Sequence, residues 1–144
     1  FDYYYGQVDQ AICHNYYPAW QWRNAVNESI PANFGASVSK CGFDYDNCQW
    51  TGDLWVNDTL RLLDQVAKNK EQPWYIFLSF TTPHAGSVGS TVENDVPVPR
   101  TSKGPYAKES WPKVEKDFAT AVTTVDTLSG EVIAKLDSLG LEEE

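Results

Sequence analysis

A chain of 144 residues is one domain's worth, and its 42% hydrophobic and 22% charged content suits a globular protein with a buried core. The net charge of −9 argues against nucleic acid and anionic membrane as partners, and no apolar run approaches the roughly 18 residues that would suggest a membrane span. Aromatic content is high, with 6 Trp and 8 Tyr, which implies dense packing or a surface suited to carbohydrate.

Residues 1–50 are aromatic, polar and without a sustained period, so they read as loops and short strands wrapped over something larger. Cys41 and Cys48 flank a short polar segment and could close a small disulfide loop, leaving Cys13 free or paired outside the chain. A lone Cys-x6-Cys lacks the close paired spacing of a structural zinc site. Two Asn-x-Ser/Thr sequons, Asn27-Glu28-Ser29 and Asn57-Asp58-Thr59, are near what chance gives and mildly favour a secretory route, extracellular or lysosome-like.

Gly52-Asp53 opens an expected helix with Asp53 as its N-cap. Val56, Leu60, Leu63 and Ala67 supply its apolar stripe, Lys68 and Lys70 complement its carboxyl end, and Pro73 ends it. Next comes Trp74-Tyr75-Ile76-Phe77-Leu78-Ser79-Phe80, seven apolar or nearly apolar residues bounded by Pro73 and by Thr81-Thr82-Pro83-His84. A short apolar run can be buried helix, but aromatic and β-branched residues behind a proline favour a strand covered on both faces, as in parallel sheets. Ligands of open parallel sheets gather beyond the carboxyl ends of the strands, where one of only two histidines stands here. Pro83 pushes Thr82 out of the α region and sets His84 at the rim. The plainer reading of His84 is a loop residue bonded to backbone.

Residues 85–106 form a long Gly- and Pro-rich loop, functional or merely a connector. A second helix is expected over 111–139, with Val114, Phe118, Ala121, Val125, Leu128, Val132, Leu136 and Leu139 at helical spacing. Pro112 suits its first turn and Gly140 its end, while Gly130 inside it allows a close approach by a neighbour. A strand followed by a helix wants a parallel partner next, and none follows before Glu144. Met is absent even at position 1, so the chain is expected to begin after processing or truncation. One strong strand and two good helices therefore suggest a segment of a larger α/β domain.

Several motifs, in order, carry a family resemblance. Phe1-Asp2-Tyr3-Tyr4-Tyr5-Gly6, His14-Asn15-Tyr16-Tyr17-Pro18 and Trp22-Arg23-Asn24 come first. The apolar run ending in Thr82-Pro83-His84 follows, then Val125-Asp126, Gly130 and Leu139-Gly140-Leu141-Glu142. Together they resemble the middle of the sulfatase N-terminal catalytic domain, arylsulfatases of bacterial type above all. Each motif alone is weak; the ordered set spans the chain and is fairly specific.

The resemblance implies that residues 1–144 are part of an alkaline-phosphatase-like α/β domain truncated at both ends: a fragment of a parallel-sheet sandwich with one clear buried strand and two main helices. It implies a sulfuric ester hydrolase acting on a sulfated small molecule or glycan, with a formylglycine nucleophile made from Cys or Ser in Cys/Ser-x-Pro-x-Arg. None of Cys13, Cys41 or Cys48 stands in that context. The carboxylates that hold Ca2+ in this family, and its sulfate-gripping lysines, are likewise expected outside the chain. Only His84 falls on a family functional position, where the imidazole assists the sulfate or the leaving oxygen. A substrate-lining role for His14, Tyr16 or Tyr17 stands beside the plainer reading of core packing. Two alternatives remain, a phosphatase or phosphodiesterase of the same superfamily and a non-catalytic glycan-binding module.

Overall fold

The computed structural model describes residues 1–41, 46–69, 71–86, 96, 98–99 and 104–141. Three short strands, β1 (Tyr5–Gly6), β2 (Trp20–Arg23) and β3 (Val26–Ser29), form an antiparallel sheet in the order β1-β2-β3. Arg23 pairs with Val26 across a two-residue turn, and Asn24 takes the left-handed conformation (φ 54°) that hairpin turns ask of Asn. The Asn24 N–H donates to the Tyr4 carbonyl and its Oδ1 accepts from the Tyr4 N–H, both at 2.8 Å, which ties β1 to the hairpin.

The chain is α/β, as expected, with two main helices, α3 (Thr51–Val66) and α4 (Lys113–Leu139); the small helices α1 (Gln10–Cys13) and α2 (Val38–Cys41) precede them. The α3 helix starts before the expected Asp53 cap. Trp50 occupies the N-cap, and Asp53 lies in the first turn, where its charge still complements the dipole. Val56 and Leu63 are fully buried and Leu60 packs on the core, as the stripe required. In α4 the ending is as read: Gly140 is left-handed (φ 64°), and the Leu141 N–H returns to the Leu136 carbonyl at 3.0 Å. Lys135 Nζ lies 2.6 Å from Asp64 Oδ1 and links α4 to α3. The first two positions of the α4 stripe are left open, with Val114 and Phe118 exposed while Ala121 and Leu128 are buried. Gly130 does not mediate close packing, since a Cβ there would meet no atom within 4 Å.

The largest correction concerns residues 74–80. They are neither helix nor part of the sheet, so the sheet described here is antiparallel and not the expected parallel one. Their burial alternates with the two-residue period of extended chain: Trp74, Ile76, Leu78 and Phe80 are half-buried, while Tyr75 and Phe77 are 71% and 70% exposed. Leu78 and Phe80 pack on the core. Burial on both faces fails because the core covers one side alone. Among the described residues no backbone hydrogen bond reaches 74–80 from either edge.

That core gathers Tyr16, Tyr17, Trp50, Val56, Ala121 and Leu128 with Val96 and Val98, so the long 85–106 loop contributes two buried valines. The rest of that reading at 87–95, 97 and 100–103, like Lys70, the 42–45 segment and 142–144, lies outside the described residues. Cys41 and Cys48 form the disulfide, with Cα atoms 5.2 Å apart, and Cys13 is not disulfide-bonded. Next to it the buried Asn33 amide donates to the carbonyls of Pro18 (2.9 Å) and Gln49 (2.8 Å) and accepts from the Gln49 N–H (2.8 Å). One side chain thus pins the segment carrying His14–Pro18 to the start of α3. No helix among the described residues is long and apolar enough to cross a membrane.

Candidate functional site

His84 closes a tight turn at the end of the apolar run, its N–H donating to the Thr81 carbonyl at 3.0 Å. Thr82 is buried, the Thr82–Pro83 peptide bond is cis, and His84 itself is exposed. The imidazole is thus exposed at the end of the run, but with 74–80 outside the sheet no sheet rim lies there among the described residues.

Two residues of the His14-Asn15-Tyr16-Tyr17-Pro18 motif hold that turn. The Tyr16 hydroxyl donates to the His84 carbonyl. Tyr16 is 1% exposed, with its ring nearly parallel to Trp50 (6°, centroids 6.3 Å apart). Burial pushes its hydroxyl up to about 12, a hydrogen bond with Thr82 pulling the other way, so it is a committed donor at neutral pH. The His14 ring lies on the His84 ring, centroids 4.5 Å apart and planes 19° apart. The only two histidines of the sequence, 70 positions apart, thus form one stacked pair.

His84 Nδ1 lies 2.7 Å from the Ala85 carbonyl oxygen. A carbonyl only accepts, so Nδ1 carries the proton. The remaining ring nitrogen, Nε2, has no partner among the described residues. It accepts a hydrogen bond when the ring is neutral and donates one when the ring is charged.

Of the other sequence candidates, Tyr16 and Tyr17 are core residues, as the plainer reading had it. His14 is half-exposed and belongs to the site. What the sequence left unweighted is Tyr16 as a clamp on the His84 backbone. The available signal was the density of polar-tipped rings in His-Asn-Tyr-Tyr next to a second lone histidine.

No family model matches this chain, and neither does any curated protein or solved structure.

The calcium implied by the sulfatase resemblance does not fit the residues described here. Among them no three His, Cys, Asp or Glu side chains converge as a metal site. The best-buried carboxylate of the amino-terminal half, Asp58, is committed elsewhere. It accepts from Tyr3 (2.6 Å), Arg23 (2.7 Å) and Arg61 (2.9 Å). Burial alone would raise its pKa; the hydrogen bonds from Tyr3, Arg23 and Arg61 outweigh that and hold the carboxyl below its ordinary value. Arg23 also sits over the Tyr5 ring at 4.1 Å and pairs with Glu28 at 2.5 Å. This cluster is structural, tying β1, β2 and β3 to α3.

Proposed function

We propose that this chain is part of a sulfuric ester hydrolase, arylsulfatase-like, in which His84 acts on the sulfate group or on the leaving oxygen. The observation that carries the reading is the way His84 is held. Its N–H, carbonyl, Nδ1 and ring face all have partners, and among the described residues Nε2 alone has none, at an exposed turn. A prealigned imidazole with one open nitrogen suits proton delivery to a departing alkoxide or phenoxide, a poor leaving group without it. It suits equally a hydrogen bond to charge building up on a sulfate oxygen.

The formylglycine nucleophile and the Ca2+ ligands of this reading would come from polypeptide outside residues 1–144, and this segment alone would be inactive. Residues 74–80 support placement in a larger parallel-sheet sandwich, because a run with apolar side chains to both faces and no backbone partner among the described residues has the character of an interior strand awaiting its neighbours. The disulfide and the sequons at Asn27 and Asn57, both exposed, accord with a secretory route.

In the intact enzyme that this reading supposes, His84→Ala should cut turnover of an aryl sulfate by a factor on the order of 10²–10⁴ without unfolding the protein. Undiminished turnover in that variant would remove His84 from the mechanism. Preference for the matching aryl phosphate would move the assignment to the phosphatase branch.

A further inference from the structure

We propose that His14 is a positioning residue for His84: its ring, laid on the His84 ring, keeps Nδ1 on the Ala85 carbonyl and so keeps Nε2 as the nitrogen offered to the sulfate group. The inference rests on the reading of His84 as the acting imidazole and adds a second residue to that site.

The argument begins with what an exposed histidine does by default. Its ring turns about two side-chain torsions, and when neutral it exchanges between two tautomers. Either freedom spreads the proton-carrying nitrogen over several places, and preorganisation within a few tenths of an ångström is what general acid catalysis needs. Backbone contacts alone leave these freedoms open. The Thr81 carbonyl and the Tyr16 hydroxyl fix the peptide groups of His84, not its ring. A single hydrogen bond from Nδ1 to the adjacent residue's carbonyl leaves the ring free to swing out into water.

A second ring, near-parallel at 4.5 Å, supplies the missing constraint. Planar partners at this distance attract through their faces and resist tilting. Swinging His84 away from Ala85 would break the stack, so the face contact and the Nδ1 bond reinforce each other. His14 is itself anchored by the chain that follows it, since Tyr16 and Tyr17, two and three residues on, are 1% exposed in the core. The same short stretch therefore grips His84 twice, through Tyr16 on its carbonyl and through His14 on its ring. Side chains that point the same way in an irregular segment and converge on one distant residue are a supporting frame for it.

The test is long-range 1H–15N NMR of the imidazoles in the 144-residue chain at a pH where both rings are neutral, with inorganic sulfate added in a separate arm at a lower pH where the His84 ring is charged. In the wild type and in His14→Phe, which keeps a flat ring without nitrogens, His84 should hold the Nδ1–H tautomer. In His14→Ala it should pass to a mixture in which neither tautomer dominates, with loss of the ring-current shift on its Cε1 proton. Should the alanine variant disturb the amide spectrum, His14→Gln, close to His in size but without a ring, is read the same way. Retention of the wild-type tautomer in the ringless variants, or its loss in the Phe variant, would overturn the positioning role. The sulfate arm speaks to the other reading: at the lower pH, where Nε2 donates, a wild-type His84 that sulfate does not shift counts against the sulfatase assignment, whatever the tautomer does at the higher pH.

Discussion

Replacing Asp58 by Asn removes a charge while keeping the shape of a side chain that is 7% exposed and bonded to Tyr3, Arg23 and Arg61. A hydrogen bond to a charged group contributes about 1.5–3 kcal/mol against about 0.5–1.5 for a neutral one, so the contact with each of the three partners loses about 1 kcal/mol. The Arg61 side chain is 46% exposed and Arg23 32%, so solvent screens their share, and neutralising a buried carboxylate returns part of its desolvation cost. The net expected loss is about 1–2 kcal/mol, or a fall in Tm of roughly 2–8 °C for a chain of this size. The pH dependence gives the sharper check. Because the folded carboxyl sits below its ordinary value, its contribution is fully present above the unfolded-chain value of about 3.9 and is lost as pH falls through the still lower folded one. Chemical denaturation of wild type and Asp58→Asn should therefore give a constant difference from pH 7 to pH 5, shrinking only under stronger acid. A variant as stable as the wild type, or a difference already fading between pH 7 and pH 5, would refute the account of this cluster.

Three further substitutions probe other parts of the fold. Gly130→Ala should raise Tm by roughly 2–4 °C, since the added methyl meets nothing within 4 Å and removes a helix-interior glycine worth about 1 kcal/mol; Gly52→Ala should instead lose about 1–3 kcal/mol, because its Cβ would come within 2.1 Å of the buried Trp50 ring, and a gain at Gly52 in the same melting assay would contradict that packing. Tyr16→Phe should cost about 1 kcal/mol and speed amide exchange around 82–85 while the core keeps its near-ultraviolet dichroism. The hydroxyl's raised folded value means its contribution is complete below about 10 and disappears as pH rises toward about 12, so a wild-type-minus-Phe difference that fades below pH 9 would count against the His84 contact.

The two long helices were legible because a 3.6-residue period needs only the apolar side chains of one segment to declare itself. Val56 and Leu63 in α3, and Ala121 and Leu128 in α4, are buried as that period required. The hairpin was not legible, although its turn residue was in view. Gln21 in the middle of β2 is completely buried and accepts from Trp55 Nε1 at 2.5 Å, so a polar letter occupies an inward position and the alternation disappears. Its helix partner, 34 residues on, satisfies the Oε1 atom, while Nε2 has no partner among the described residues. Residues 74–80 were legible as non-helical, yet composition cannot say how many faces the surrounding chain covers. At the site, the Pro-His step announced an exposed imidazole. Its frame could not be announced, because stacking against His14 depends on how the amino-terminal segment is pinned through Asn33 and the core.

Among the described residues the ribbon at 74–80 has no backbone partner, which gives it the character of a sheet edge. Tyr75 and Phe77 turn to water along it, and an edge of this kind is a template on which a foreign strand can anneal. Two prolines bracket the hazard, Pro73 before it and Pro83 after it, and neither can donate to a growing ladder. They act as stoppers, confining any such zipper to the few positions between them and keeping it off the turn that holds the imidazole pair.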